Sequence, residues 1–547
     1  MIRSDDIGFV RQQVERSIRH LLSEQNRDPY TPTFGCFDRR YWAWKLVDHP
    51  EATYQRAVYP LAWLLEQSKT SNLKQKAVLV EAIRAGLMFS CRIQHKDGSF
   101  DQAFPHEHSY GATAFLLHPL LEAYRSVRDG WSAARQMDIE SGLCRAADFL
   151  CSHDEAHGLI SNHLAGAVLS LLASADFFHA PRYEQRAAEL LVHILAHQSP
   201  EGWFVEYDGA DPGYQTLCLY YLGQVYHLRP DPVLRDALAK AVDFLAWFIH
   251  PDGTFGGEYG SRRTAIYYPG GLARLAGEFP LAASMTRFML KSIAEGQTIT
   301  AADVDMGNLV PLLSNYALAL ESRWTDEKPL LPLPYEQADA SHDFPQAGLF
   351  IRSSKRYYAL VGASNGGVLK VYDRKKRTIL WNDGGYAGQT VRGAWITTQM
   401  TDLSRPVAAD RREIRIEGPF YAMLHSIQTP VQFVILRLLN LTVMRNLWLG
   451  NVIKRLLVSM LISSKKVVPL HLTRIIHFDA ESITVTDQLR GRLELRWLAF
   501  GRPFVAIHMA SANYFENPET AFMASKVQNV PVIDLTAKGM IELQVTI

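Results

Sequence analysis

Between Gly418 and Phe478 the chain has no aspartate or glutamate, although Arg437, Arg445, Lys454, Arg455, Lys465, Lys466 and Arg474 stand in the same span. Other absences bound the reading. No apolar run reaches the roughly 20 residues of a membrane span. The N-terminus, Met-Ile-Arg-Ser-Asp-Asp, lacks an apolar stretch, so no signal peptide is expected. Cysteines are few, odd in number and without a CxxC pair: Cys36, Cys91, Cys144, Cys151 and Cys218. That excludes a disulfide framework or a thiolate zinc site and predicts reduced thiols. Together these features predict a cytoplasmic protein. The formal net charge is only +1, which excludes nucleic-acid binding by the chain as a whole. What remains is an ordinary globular composition, long enough for two or three domains with real cores.

The first 325 residues repeat a pattern of helix, short turn and helix. Ile7, Val10, Val14, Ile18, Leu21 and Leu22 place one helix over 7–26. Glycine-centred turns follow at Gly35, Gly98, Gly158, Gly202, Gly253 and Gly307, about one helical hairpin apart. Such hairpins cannot bury their faces alone and must stack. Six of them predict a closed (α/α) toroid; an open α-solenoid is the other solution. Residues 326–345 form a proline-rich connector, Lys-Pro-Leu-Leu-Pro-Leu-Pro334 at its centre. From 346 to 547 short strands alternate with turns such as Asn365-Gly-Gly and Asn382-Asp-Gly-Gly385, which predicts an antiparallel β-sandwich.

The carboxylate-free stretch interrupts that sandwich. From about 430 to 463 it is helix-like, with Arg437, Asn440, Asn451 and Arg455 on one side and Phe433, Leu441 and Trp448 among the apolar remainder. Two readings stand. One is a helical insertion packed on the toroid. The other is an interfacial helix pair, residues 431–466, lying on an anionic membrane surface with its cations at the headgroups.

Polar residues gather at the turns. Asn162 and His163 lie side by side at the entrance of a helix predicted over Ala165–Ala175. Tyr214 follows the turn at Gly202 and also opens a helix. Arg262 and Arg263 follow the turn at Gly253, two guanidinium forks suited to an anionic sugar. Trp203, Tyr259 and Tyr267 are expected to stack on sugar faces, with Glu258 beside them. His106 and His108 follow the turn at Gly98; their i, i+2 spacing is not that of a helical metal pair, so a substrate contact is expected and no metal or other cofactor. Bland alternatives hold for each residue. Asn162 fits a helix cap, His163 a satisfied surface residue, and Arg262 and Arg263 partners of Glu258.

The Gln94-His-Lys-Asp-Gly-Ser-Phe100 turn resembles the Gln-x-x-x-Gly-x-Phe repeat of terpene cyclases and prenyltransferases, which are also toroids, but no DxDD acid motif is present. The architecture, with Asn162-His163 in the ring, a later Tyr214 and Asn382-Asp-Gly-Gly-Tyr386 in the sandwich, resembles the heparinase II/III-like and alginate-lyase-like polysaccharide lyases. The resemblance implies Asn162, His163 and Tyr214 as catalytic residues, and β-elimination on a uronate-containing polysaccharide or its lipid-linked precursor: the C5 proton leaves and the C4 oxygen is expelled. The segment Ala363-Ser-Asn-Gly-Gly-Val-Leu-Lys-Val-Tyr-Asp373 lacks the histidine that many of those enzymes carry. Hydrolase, C5-epimerase and non-catalytic glycan scaffold docking to a membrane synthase therefore stay open. The hydrolase reading rests on the many carboxylates near the turns, among them Glu201, Glu206, Asp208 and Asp211. With no leader and a basic insertion, a role in surface-polysaccharide synthesis on the inner face of the cell membrane is expected. The oligomeric state is not indicated.

Overall fold

The computed structural model describes residues 4–67, 73–155, 160–206, 209–322, 330–423, 429–446, 449–450, 452–453, 465–501, 504 and 540–547. Twelve helices precede the first strand: α1 (Ser4–Glu24), α2 (Val58–Gln67), α3 (Leu73–Ile93), α4 (Tyr110–Val127), α5 (Ala133–Ser152), α6 (Ser161–Phe178), α7 (Pro181–Ala196), α8 (Pro212–Leu228), α9 (Pro232–Ala246), α10 (Pro269–Leu275), α11 (Pro280–Ala294) and α12 (Met306–Glu321). Odd-numbered helices are amphipathic and form the outside; α7 buries Tyr183, Ala187, Leu190 and Ile194, one helical stripe. Even-numbered helices are buried nearly all round. In α6 every residue from Leu164 to Ala175 is buried, and small ones such as Ala165, Gly166 and Ser170 let α4 and α8 approach. Contacts run α2–α4–α6–α8–α10–α12 and back to α2. The ring is closed, and the open solenoid is excluded.

The glycine turns build that ring. Gly35, Gly98, Gly202 and Gly253 share φ values of +94°, +92°, +97° and +95°, a region costly for any residue with a Cβ. A Cβ on Gly35, Gly98 or Gly202 would stand 1.9, 2.0 or 2.2 Å from the carbonyl oxygen of Ala85, Arg145 or Lys240, on the next outer helix. The Gly98 and Gly202 turns are stapled to that helix by the glutamine four residues before the glycine. Gln94 Nε2 donates to Gly98 O (3.0 Å) and Gly142 O (2.8 Å), and Gln198 Nε2 to Gly202 O (3.0 Å) and Ala237 O (2.9 Å). The terpene-cyclase-like motif is thus a ring-building clamp. Gly158 lies outside the described residues. Gly307 is no turn: it sits in the first turn of α12 behind the Asp305 cap, and the left-handed glycine between α11 and α12 is Gly296 (φ +67°).

The C-terminal part is two antiparallel sheets. One is β1 (His342–Phe344), β2 (Leu349–Ser353), β3 (Tyr357–Gly362), β4 (Val368–Asp373) and β5 (Thr378–Asp383), in chain order. The other contains β6 (Ala387–Thr390), β7 (Trp395–Thr397), β8 (Val407–Ala409), β9 (Glu413–Ala422), β10 (Val467–Phe478), β11 (Ile483–Gly491), β12 (Leu495–Ala499) and β13 (Met540–Thr546). Its order is β12-β6-β7-β9-β10-β11-β13, with β8 added on β9. The central strands of the first sheet, β2, β3 and β4, are buried on both faces. Leu349, Ile351, Tyr358 and Leu360 join the toroid core, while Phe350, Ala359, Val361 and Leu369 meet Ile414, Ile416, Ile476 and Val485 of the second sheet. This is why these strands are nearly continuous apolar runs in the sequence.

The insertion between β9 and β10 begins with α13 (Pro430–Leu441), started by a capping box in which Thr429 and Gln432 bond reciprocally. Arg437 and Asn440 share its inward side: Arg437 Nε is 2.7 Å from Asp48 Oδ2 of the toroid, and Asn440 is buried. Outward stand Val431, Val434, Ile435, Leu438 and Leu441, each more than half exposed. Trp448, Asn451, Lys454 and Arg455 lie outside the described residues; Lys465 and Lys466 are exposed. Among the described residues no helix is long and apolar enough to cross a membrane.

Candidate active site

Each inner helix follows an outer one through the same kind of turn, so the inner helices run parallel and their N-termini gather at one mouth. Their unpaired N–H groups and dipoles favour an anion there. At this mouth the α5–α6, α7–α8 and α9–α10 turns interlock. Ser161 donates from N (3.2 Å) and Oγ (2.8 Å) to Val205 O, and Ser261 donates to Ala210 O through N (2.8 Å) and to Glu206 O through Oγ (3.2 Å).

Asn162 lies in the first turn of α6, which starts earlier than predicted, and its side chain does not cap the helix. Its backbone N–H donates to Glu206 Oε1 (3.0 Å) and its Nδ2 to Glu206 Oε2 (2.6 Å). The amide oxygen Oδ1 is buried without a partner among the described residues. Glu206 is fully buried. Burial pushes its carboxyl up to about 8, against the Asn162 bonds and the charge of Arg262, which pull it down. Asp211 caps α8 and organises the opposite wall: Oδ1 accepts from Tyr214 N (2.9 Å), Oδ2 from Arg262 N (2.8 Å) and Thr264 N (3.3 Å). Burial raises this carboxyl as well. The Arg262 guanidinium carbon lies 5.7 Å from the centre of the Tyr214 ring. Tyr214 itself is half-buried.

His163 turns the other way, toward α4. Its Nδ1 is 2.7 Å from Glu155 Oε2, its ring meets Phe115 edge-on at 5.0 Å, and a Cβ on Gly111 would collide with it. The carboxylate fixes the ring and leaves Nε2 for other work. Phe115 stacks on Tyr221 (5.5 Å), and the Arg56 guanidinium lies 5.4 Å from Phe115. Arg56 also acts electrostatically on Tyr221 and Tyr268, which puts a second cation, after Arg262, inside the ring.

Asn162, Tyr214 and Arg262 therefore come together, with His163 beside them on the same helix turn. Other expected residues lie elsewhere. Arg263, expected on the substrate, is buried at the seam with the sandwich: Nε donates to Gln399 Oε1 (2.9 Å) and Nη2 to Gln399 O, and burial lowers it to about 10. Glu258 pairs with neither arginine; Lys370 Nζ of β4 is 2.5 Å from its Oε2. Trp203 is buried, donating to Glu201 Oε2 (2.9 Å), whose oxygens also accept from Gln346 N (2.7 Å) and Ala347 N (3.0 Å). Tyr259 is buried against His250 Nε2 (2.8 Å), and Tyr267 is buried against Phe255. None of these rings has a face open to a sugar. Trp203, through Glu201, fastens the α7–α8 turn to the sandwich, and Tyr259 packs the α9–α10 turn, which carries Arg262, against Gly362 of β3. Asn365, in the segment without histidine, does the same: its Nδ2 donates to Glu258 O and Gly260 O, both at 2.9 Å. His106 and His108 form a separate cluster with His95. The sequence reading missed the roles of Glu206, Glu155 and Arg56. Glu206 stood in view among the turn carboxylates, eight residues before Tyr214; only the ring shows that it faces Asn162.

Residues 47–273 match the family model described as the ulvan lyase N-terminal domain. That span holds Asn162, His163, Tyr214 and Arg262 together. The match likens this part of the chain to a polysaccharide lyase domain. Among solved structures, the chondroitin AC lyase of Streptomyces coelicolor A3, in complex with chondroitin sulphate, superposes with a TM-score of 0.55 at 12% identity, over 89% of this chain and 66% of that one. This chain thus spans a little under two thirds of that enzyme, and at such identity it is the fold that is shared. The heparan sulfate lyase HepC of Pedobacter heparinus, in mutant form, gives a TM-score of 0.44 at 10% identity, over 88% and 69% of the two chains. No curated protein sequence matches the chain. The fold shared with the chondroitin AC lyase is an (α/α) toroid joined to a β-sandwich.

Proposed function

We propose that this protein cleaves a uronate-containing polysaccharide by β-elimination at the toroid mouth. The observation that carries the proposal is the convergence of Asn162, Tyr214 and Arg262 from three interlocked turns. A uronate carboxylate held by Arg262 and the Asn162 amide loses most of its charge, so the neighbouring C5–H becomes more acidic and the enolate-like intermediate is stabilised. Tyr214 takes that proton or delivers one to the departing C4 oxygen, with His163 Nε2 as the second proton carrier. Glu206 sets the Asn162 amide. When it is protonated, its O–H donates to the amide oxygen after a half-turn of the amide, and both Nδ2 hydrogens point to the substrate. The hydrolase reading fares worse, because the two buried mouth carboxylates are engaged: Asp211 by three backbone N–H groups and Glu206 by Asn162 on both oxygens.

The test is incubation with glucuronate- and iduronate-containing polysaccharides, reading near-ultraviolet absorbance of the unsaturated product and new reducing ends together. Absorbance that appears with the parent and disappears with Tyr214→Phe supports the proposal. Reducing ends without absorbance identify a hydrolase. C5 inversion without cleavage identifies an epimerase, and retained binding without any product identifies a scaffold.

The place of action is proposed to be an anionic membrane surface, in surface-polysaccharide assembly. Supporting this are the outward apolar residues of α13 and the absence of carboxylates from 418 to 478. Flotation with anionic liposomes should be lost when Val434, Ile435 and Leu438 become Ser. Unchanged flotation in that variant, or no flotation of the parent, removes the membrane from the proposal.

A further inference from the structure

The loop from 94 to 109 holds three imidazoles that the proposed chemistry does not use. His95 follows α3; the chain then turns at Gly98 and comes back, with His95 N donating to Ser99 O (3.0 Å) and Gly98 N to His95 O (3.0 Å). Asp101 folds the rest of the loop over that turn by accepting from His106 N (2.8 Å) and His108 N (3.0 Å). Glu107 Oε2 locks it further through Gln102 N (2.8 Å) and Ala103 N (2.6 Å). His108 consequently stacks on His95, ring centres 4.1 Å apart, and His106 stands 5.7 Å from His95. One ring nitrogen from each of the three lies within 4.8 Å of the others.

We propose that His95, His106 and His108 form a site for one zinc-like divalent cation at the rim of the ring mouth. The arrangement around the rings suits that role. His108 Nδ1 is 2.7 Å from Asp97 Oδ2, and His95 Nε2 is 2.8 Å from Asp101 Oδ1. Asp97 fixes the His108 ring and its tautomer and leaves the other nitrogen as a donor, and Asp101 orients the His95 ring, the usual outer support of a histidine metal ligand. His106 and His108 are both left-handed, φ +59° and +51°, a conformation that costs free energy in residues other than glycine and is held here by Asp101. The rings are partly exposed, so an ion can enter and a fourth position faces solvent. Three nitrogen donors suit zinc and its transition-metal neighbours, not the oxygen-seeking calcium or magnesium. Tetrahedral zinc needs its ligand atoms about 3.3 Å apart, so small ring rotations complete the site. The charges nearby are Asp97 and Asp101 on one side and Arg445, which acts on His106, on the other. The spacing of His106 and His108 alone gave no sign of this, because the third ligand comes from across the glycine turn.

The test is calorimetric titration of the metal-stripped full chain with zinc chloride. One ion per chain at a Kd of about 10 µM or tighter is expected, with a rise in Tm. His106→Asn, which tolerates the left-handed backbone, should weaken binding roughly 100-fold while the zinc-free Tm stays put, and Asp97→Asn should weaken it roughly 10-fold or more. The double variant His193→Ala/His197→Ala removes an exposed histidine pair on α7, ring centres 4.5 Å apart, and should change nothing. Absence of binding overturns the proposal. So does binding that survives His106→Asn or vanishes with the α7 pair.

Discussion

The ring mouth and the middle of the sandwich contain nearly the same set of groups. In the sandwich, Arg474 Nε and Nη2 donate to Asp487 Oδ1 (2.8 Å) and Oδ2 (2.7 Å), and Nη1 to Asp383 Oδ2 (2.8 Å) and Gly367 O (2.6 Å). Tyr386 OH donates to Asp487 Oδ2 (2.7 Å). This is the Asn382-Asp-Gly-Gly-Tyr386 turn that resembled a lyase motif, and every member is buried except Asn382. At the mouth, Arg262, Tyr214, Asp211, Glu206 and Asn162 also form a linked set, but Tyr214 is half-exposed and Asn162 Oδ1 has no partner among the described residues. The difference is saturation. In the sandwich Arg474, Asp383, Asp487 and Tyr386 are all engaged and only Asn382 Oδ1 beside them lacks a partner among the described residues, so that cluster holds a fold together. A cluster with a phenol and an amide left over can hold a ligand.

Matched phenol deletions break or sharpen that contrast most strongly. Tyr214→Phe should lower kcat by about 10²–10⁴-fold, the usual worth of a positioned proton carrier, with Tm essentially unchanged. Tyr386→Phe should leave kcat alone and cost about 1–3 kcal/mol of stability, because Asp487 loses a buried donor. Equal effects of the two on turnover would erase the distinction. Next in size is Arg474→Met. It leaves two carboxylates buried without their cation and should cost about 3–5 kcal/mol in urea unfolding. Arg262→Met should appear first in kcat/KM, measured on the same uronate polymer.

How far these roles are legible in the sequence follows from what each depends on. The toroid was legible because its turns repeat a local rule, a left-handed glycine between outer and inner helix, with a glutamine four residues before it at Gly98 and Gly202. The two-sheet domain was legible from alternating strands and turns, but β6, β7 and β8 are short and carry no such signal. Asn162, Tyr214 and Arg262 were found because they follow successive turns. Trp203, Tyr259 and Arg263 follow turns as well, and sequence cannot say that these point into the seam, since that depends on Gln399 and β2–β4, over 80 residues away. Glu206 was visible only as one carboxylate among several. His95 was missed because its partners come from the return leg of a loop that Asp101 folds.

The smallest effect expected is also the most diagnostic of the mouth, and it concerns Glu206. Burial lifts its carboxyl from an ordinary 4.5 to about 8 in the folded chain. Between those values the folded state holds a proton that the unfolded state has released. Stability contributed by this group is therefore full below about pH 4.5 and is lost as pH rises through 8, at up to about 1.4 kcal/mol per pH unit. Glu206→Gln keeps an acceptor for Asn162 N–H and a donor for the amide, so it imitates the protonated acid at every pH. Unfolding in urea at pH 5, 7 and 9 should show the variant gaining on the parent as pH rises, and its turnover at pH 9 should hold while that of the parent declines. Parallel stability curves would mean that Glu206 is ionised throughout. The mouth would then resemble the sandwich more closely, with Asn162 fixed by a permanent anion and a single amide hydrogen left for a sugar acid.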